Sequence, residues 1–97
     1  SVVTRVLRFS GRELRLNFST SAVGSVAVEI RGADGQPVPG HSIADMEPLY
    51  GDKLDAPVAW AGGTDLSKLN GEPVHLRFEL NDADLYAFRF GRDPRST

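Results

Sequence analysis

The sequence predicts an all-β fold: a single antiparallel β-sandwich of jelly-roll type, with seven or eight strands and one short helical turn. Apolar and polar residues alternate in several runs, and Leu14, Leu16 and Phe18 share one face of residues 13–19. Segments rich in glycine, proline and aspartate separate these runs at regular intervals, as in sandwiches. The 97 residues are enough for one domain with one hydrophobic core.

Six runs are predicted as strands, because each alternates apolar and polar residues or is rich in β-branched and aromatic residues. In chain order they are "TRVLRF" (4–9), "ELRLNFS" (13–19), "SVAVEI" (25–30), "APVAWA" (56–61), "VHLRFEL" (74–80) and the run with Tyr86, Phe88 and Phe90 on one face (86–90). Their apolar faces predict one shared core, formed by Leu14, Leu16, Phe18, Val26, Val28, Ile30, Val74, Leu76, Phe78, Phe88 and Phe90.

Two connecting segments carry specific predictions. "TDLSKLNG" (64–71) predicts about one turn of helix, with Thr64 or Asp65 as the N-cap and Gly71 as the stop. "NDAD" (81–84) predicts a hairpin, since its Asn and Asp side chains accept backbone hydrogen bonds and tolerate left-handed geometry. The ring of Tyr86 is then expected in the core, with its hydroxyl at the sheet end.

The domain is expected to comprise residues 1–91, with residues 92–97 as a tail or linker, because "GRDPRST" has lost the apolar alternation. A chain that begins at Ser1 without methionine is expected to be an excised module or a processed form.

Composition argues against several classes of function. Eleven basic and 13 acidic residues give a net charge of -2, so no broad basic field exists to attract nucleic acid or anionic membrane. The absence of cysteine excludes a disulfide framework and thiolate metal sites. No apolar run approaches the roughly 18 residues of a membrane span.

The segment from 40 to 60 breaks the alternation and concentrates polar and aromatic groups, and long irregular segments in compact domains are often functional. The predicted ligand-binding residues are His41, Asp45, Glu47, Tyr50, Asp52 and Trp60. An indole or phenol ring can stack on a sugar, and carboxylates can accept its hydroxyl hydrogen bonds. Two alternatives stay open: the loop serves structure alone, and Trp60 is a core anchor.

Neither a cofactor nor a catalytic site is predicted. Asp45, Asp52 and Asp55 could supply oxygen ligands to a structural calcium ion, but they lack EF-hand spacing, and carboxylates capping turns are the alternative. His41 and Ser42 lie too close to Asp45 in sequence to be taken as a catalytic triad.

The pieces "SIAD", "YGD", "WAGGTDLSKLNGEPVHLRFEL" and "DADLYAFRF", taken in this order and spacing, resemble a β-sandwich accessory module. Such modules lie near the C-terminus of large secreted bacterial proteins, especially from planctomycete-like organisms. Those proteins look like glycoside hydrolases or sialidase-like β-propellers. The resemblance covers most of the chain, and Ser42, Asp45, Gly51, Asp52, Trp60 and residues 82–86 match its pattern.

The resemblance implies a non-catalytic, carbohydrate-binding-like module of a carbohydrate-active protein, secreted or periplasmic as part of a larger chain. Its partners would be a polysaccharide or glycan and a neighbouring catalytic domain. The alternative is a structural domain that packs on and stabilises a glycoside hydrolase catalytic domain. A small stand-alone enzyme is a third and weaker hypothesis.

Overall fold

A computed structural model describes residues 2–91, which are mostly β. Four strands form one antiparallel sheet, and two short 3₁₀ turns interrupt the connections. The strands are β1 (Val2–Val3), β2 (Glu13–Gly32), β3 (Asp52–Pro57) and β4 (Val74–Gly91), and the 3₁₀ turns are Ile43–Asp45 and Ser67–Leu69. The order across the sheet is β1-β4-β2-β3, so the two long strands lie at its centre.

The long strands bend sharply. A straight strand of 20 residues, as many as β2 contains, would span roughly 65 Å at about 3.3 Å per residue. The longest dimension of the molecule is 36 Å. The sheet therefore folds over, and we call its two parts the first arm (residues 13–20 and 83–91) and the second arm (residues 25–32 and 74–81).

The corner between the arms is a large irregularity in the pairing of β2 with β4. Thr20 is opposite Ala83 and Ser25 is opposite Asn81, so four residues of β2 face only Asp82 of β4. Asp82 has a φ of 46°, in the left-handed region that aspartate tolerates better than most residues. Extra residues on one strand increase bending and twist.

The two arms face each other across one core. Phe78 of the second arm and Phe88 of the first arm have ring centroids 5.5 Å apart. All 11 predicted core residues belong to the observed hydrophobic cluster: nine are buried, and Phe88 and Phe90 are partly buried and packed against it. Phe9, Ala27, Met46, Val58, Trp60 and Leu66 complete the buried set.

The mostly β architecture is confirmed, but within residues 2–91 the structure has four strands and not the seven or eight of the predicted jelly roll. The count differs because runs predicted as separate strands are continuous. Residues 13–19 and 25–30 both belong to β2, and residues 74–80 and 86–90 both belong to β4.

The predicted hairpin at residues 81–84 is wrong, because β4 runs through this segment and keeps β2 as its partner on both sides. The Asn and Asp side chains there accompany the bend of a strand and not a reversal of the chain. A local sequence pattern suited to left-handed backbone fits either geometry.

The prediction that the Tyr86 ring enters the core is also wrong, since Tyr86 is 67% exposed. Asn17 pairs with Ala87 and Phe18 pairs with Leu85, so Tyr86 is the extra residue of a bulge. This bulge changes which side chains face inward, and Leu85 packs on the core in place of Tyr86.

Three other elements differ from their predictions. The predicted strand at 4–9 lies outside β1, which ends at Val3, and within that run Leu7 forms an isolated bridge to Val74. The predicted strand at 56–61 overlaps β3 only at residues 56 and 57, because β3 covers Asp52–Pro57 and ends just before the buried Val58.

The helical turn at 64–71 is only the 3₁₀ turn Ser67–Leu69, with Leu66 as its N-cap in place of Thr64 or Asp65. Gly71 follows it with a φ of +79°, consistent with its role as a stop. The predicted tail at 92–97 lies outside the described residues.

Candidate functional site

An open groove of about 300 Å³ lies beside the end of β3. Three of the six predicted ligand-binding residues line it: Asp45, Glu47 and Trp60. Leu49, Pro57, Ala59 and Ala61 supply the rest of its lining. The groove thus combines two carboxylates with apolar side chains, which is the usual composition of a small-ligand site.

The Asp45 side chain is fixed by the 3₁₀ turn that it closes. Its Oδ2 atom accepts hydrogen bonds from the backbone N–H and the hydroxyl of Ser42, at 3.1 and 2.8 Å. The Ser42 hydroxyl bond is the main cause that lowers the pKa of Asp45, so this carboxyl is ionised at neutral pH. Both bonds end on Oδ2, and within residues 2–91 no protein donor is bound to Oδ1.

Backbone alternation at residues 46 and 47 places Glu47 at the surface. Met46 is buried, and its sulfur accepts a hydrogen bond from the Val28 N–H at 3.3 Å. Met46 and Trp60 also form a backbone bridge. With Met46 anchored in the core, the next side chain points outward, and Glu47 is exposed at the groove.

Trp60 is 4% exposed, and its indole N–H donates to the Val28 carbonyl at 3.1 Å. The side chain therefore has the burial and the hydrogen bond of a core anchor, which was the alternative interpretation of this residue. An indole with so little exposure contributes to a groove wall but offers no free face for a sugar ring.

The His41 ring contacts Trp60. Its ring centroid lies 5.2 Å from that of Trp60, with a tilted geometry, and its Nδ1 atom is 3.2 Å from the Pro39 carbonyl oxygen. The His41 carbonyl accepts a hydrogen bond from the Ile30 N–H at 3.0 Å, which ties this loop to β2. His41 thus supports Trp60 and does not line the groove.

Tyr50 and Asp52 lie further along the chain, also outside the groove lining. Tyr50 is 69% exposed and directly follows Leu49, which does line the groove and bridges Val26. The Asp52 carboxylate accepts a hydrogen bond from the Ser19 hydroxyl on the neighbouring strand β2. The structure therefore brings together Asp45, Glu47 and Trp60, and leaves Tyr50 as the one exposed aromatic residue of the predicted set.

The three aspartates considered for calcium serve three separate purposes. Asp45 caps a turn, Asp52 binds Ser19, and Asp55 forms ion pairs with arginines of the sheet. Among residues 2–91, no group of three or more His, Cys, Asp or Glu side chains is arranged to hold a metal ion.

The His41, Ser42 and Asp45 side chains do not form a nucleophile–base relay in this geometry. The Ser42 hydroxyl donates to Asp45, and the His41 ring faces Trp60 and the Pro39 carbonyl. A relay of this kind needs the hydroxyl bound to the imidazole.

Sequence reasoning missed the apolar lining of the groove. Leu49 precedes β3, Pro57 is its last residue, and Ala59 and Ala61 follow it, and no sequence pattern marks these apolar residues as part of one site. A second open groove, of about 520 Å³, was missed entirely. It lies between the turn that follows β2 and the loop that precedes β4, and Lys68 and Glu72 are on its lining.

Comparisons with protein-family models, with curated proteins and with solved structures find no match for this chain. Within residues 2–91, no helix has the length and apolar character needed to cross a membrane. A functional proposal therefore depends on the residues themselves and on the resemblance stated above.

Proposed function

We propose that this domain is a non-catalytic carbohydrate-binding module of a larger, secreted or periplasmic carbohydrate-active protein. The observation that carries the proposal is the convergence of Asp45 and Glu47 on one groove whose other lining residues are apolar. A sugar ring presents hydroxyls at its edge and C–H groups on its faces. A groove that pairs carboxylate acceptors with Leu49 and Pro57 matches both.

The two carboxylates have different roles in this proposal. Asp45 is held rigidly by Ser42, and its Oδ1 atom is available to accept a hydroxyl hydrogen bond. Glu47 is exposed and adapts to the ligand. Each hydroxyl exchanges water for a protein acceptor at a net gain of only about 0.5 to 1.5 kcal/mol, so weak binding of a single sugar unit is expected.

Tyr50 supplies the aromatic contact that Trp60 does not. It is the exposed aromatic residue nearest in sequence to the groove lining, immediately after Leu49. In this proposal, Tyr50 stacks on a sugar unit that extends from the groove, while Trp60 keeps the wall in place. His41 acts indirectly, by packing on Trp60.

Titration calorimetry and affinity gels with a panel of polysaccharides test the proposal. Ala59→Arg fills the groove and should abolish binding, and Glu47→Gln should weaken it. Ala87→Arg is the matched control, because Ala87 is also exposed but lies on the sheet opposite Asn17. Tyr50→Ala should weaken binding, whereas Tyr86→Ala, which removes a similarly exposed tyrosine at the β4 bulge, should not.

If Ala59→Arg and Ala87→Arg bind a responding glycan equally well, the groove is not the site. If no glycan responds, the carbohydrate proposal fails and the supporting-domain candidate replaces it.

The second candidate is a structural domain that packs on a neighbouring catalytic domain. It is favoured by large apolar side chains that are exposed at irregular points of the sheet: Val23, Leu54 and Tyr86. Leu54, for example, is 85% exposed. Such side chains on an isolated chain predict binding of a hydrophobic dye, and Leu54→Lys and Tyr86→Lys should reduce that signal without loss of folding. An unchanged signal argues against this candidate.

A further inference from the structure

The sequence Asn70-Gly71 forms a tight β-turn. Asn70 has φ −57° and ψ 131°, Gly71 has φ +79°, and the Glu72 N–H donates to the Leu69 carbonyl at 3.0 Å. These values match a type II turn, whose third position favours glycine. Asn70 and Gly71 are both exposed, so water reaches this turn.

Three hydrogen bonds join this turn to a short segment near the N-terminus. The Gly11 N–H donates to Oδ1 of Asn70 at 2.8 Å, and the Gly71 N–H donates to the Phe9 carbonyl at 3.1 Å. The Nη1 atom of Arg8 donates to the Gly71 carbonyl at 2.9 Å. We call residues 8–11 the clamp segment. It fixes both the side-chain amide of Asn70 and the backbone amide that follows it.

These two amides are the reacting groups of asparagine deamidation. The backbone nitrogen of Gly71 loses its proton and attacks Cγ of Asn70, ammonia leaves, and a five-membered succinimide forms. Water then opens the ring at either carbonyl and gives aspartate or isoaspartate, so the net reaction consumes one water and releases one ammonia. Glycine favours this reaction because it has no side chain to obstruct the attack.

We propose that Asn70 is a deamidation site that the clamp segment protects in the folded protein. The nucleophilic nitrogen is protected because its N–H is donated to Phe9, and the side-chain amide is protected because Gly11 fixes its orientation. Reaction then requires local opening of the clamp segment, and its rate reports on that opening.

Isoaspartate at position 70 would also prevent the clamp segment from closing again. It inserts one additional carbon into the backbone between Asn70 and Gly71, within a turn whose geometry is fixed by a hydrogen bond between its ends. Gly71 would then no longer form hydrogen bonds with both the Phe9 carbonyl and the Arg8 side chain. The modification is therefore expected to convert a reversible opening into a permanent release of residues 8–11.

The full chain, incubated at mildly alkaline pH with and without urea, tests the proposal by peptide mass spectrometry and enzymatic detection of isoaspartate. Deamidation at Asn70 should be at least about 10-fold slower in the folded chain than in urea. The other two asparagines, Asn17 and Asn81, precede larger residues and serve as internal controls that stay unmodified.

Two variants separate protection by the clamp segment from an intrinsically slow sequence. Arg8→Ala removes one contact and should accelerate Asn70 deamidation in the folded chain but not in urea. Arg5→Ala, at another exposed arginine of the same N-terminal region, is the matched control and should leave the rate unchanged. Equal rates with and without urea, or no effect of Arg8→Ala, would overturn the proposal.

Discussion

Asp55 on β3 and Arg89 on β4 form a two-point ion pair across the strand between them. The Nε and Nη2 atoms of Arg89 donate to different oxygens of the Asp55 carboxylate, each at 2.7 Å. β3 and β4 do not pair with each other, because β2 lies between them. The ion pair thus joins the edge strand β3 to β4, on the other side of β2.

β2 itself supports this bridge. Arg15 pairs with Arg89 and with Pro57 in the sheet, and its Nη1 atom donates to the Asp55 carbonyl at 2.8 Å. Asp55 has a φ of 57°, and its N–H donates to the side chain of Asn17. A bulge in β3 therefore directs the Asp55 carboxylate back over the sheet and towards the arginines.

The first prediction concerns the pH dependence of stability. The hydrogen bonds that Arg89 donates to Asp55 lower the pKa of Asp55, and the same contact raises the pKa of Arg89. Because the folded-state pKa is below the unfolded value of about 3.9, ionised Asp55 favours folding at neutral pH. This contribution disappears as the pH falls through the folded-state pKa.

Asp55→Asn should therefore lower the midpoint of urea unfolding at pH 7, and the difference from the unmodified chain should narrow as the pH is lowered to 3, below the unfolded pKa of about 3.9. Asparagine also tolerates the left-handed backbone at this position. Asp84→Asn, at an exposed residue of β4, is the control and should leave the midpoint unchanged at both pH values. A difference that persists undiminished at pH 3 would show that the ion pair is not its cause.

The core could be predicted from the sequence because alternation is a local signal. Leu14, Leu16 and Phe18 face inward whatever strand lies beside them, since side chains alternate along any extended chain. The corner could not be predicted in this way. It depends on the unequal number of residues that β2 and β4 place between their paired positions, which is a relationship between two strands.

The candidate site likewise has a part that the local sequence predicts and a part that depends on contacts with other strands. The sequence predicts that Asp45, Glu47 and Trp60 act together because they belong to one irregular segment, and the structure brings them to one groove. The burial of Trp60 depends on the Val28 carbonyl of β2, which no spacing within the segment encodes. Asp55 and Arg89 are a similar case, because register across β2 brings them together.

The second prediction concerns the contact between the two arms. Phe78 is almost fully buried and packs on Phe88. Phe78→Ala should lower the free energy of unfolding by about 3 to 5 kcal/mol, the usual cost of truncating a buried phenylalanine. Phe88→Ala, at a half-buried ring, should cost less. A loss below about 1 kcal/mol for Phe78→Ala in urea unfolding would contradict the packing of the arms.

The third prediction concerns the corner, where Gly24 lies against Asp82. A Cβ atom at Gly24 would lie 2.4 Å from the Asp82 carbonyl oxygen, so Gly24→Ala requires movement of the backbone. We expect a loss of about 1 to 3 kcal/mol in the free energy of unfolding. Gly62→Ala is the matched control, because a Cβ there meets no atom within 4 Å. Equal losses for the two variants would mean that the close approach at the corner does not limit stability.

The last prediction concerns Glu29, which is 5% exposed in the second arm. Its Oε2 atom accepts a hydrogen bond from Arg31 at 2.7 Å and lies 3.6 Å from the guanidinium of Arg77. Its Oε1 atom accepts a hydrogen bond from the Ile43 N–H at 3.3 Å. Ile43 is the first residue of the 3₁₀ turn whose last residue, Asp45, lines the groove. A buried carboxylate with these partners connects the sheet to the loop that carries Asp45.

Glu29→Ala should lower the free energy of unfolding by about 1 to 3 kcal/mol, because it leaves half-buried donors without their acceptor. Glu79→Ala is the matched control: Glu79 also lies 3.6 Å from Arg77, but its side chain is 45% exposed, so a loss below about 0.5 kcal/mol is expected. Amide hydrogen exchange separates a loop effect from a general one. In Glu29→Ala the Ile43 N–H should exchange faster under native conditions, while the amides of β2 and β4 in the first arm keep their protection. If Ile43 exchanges at the same rate in both variants, Glu29 does not hold the loop to the sheet.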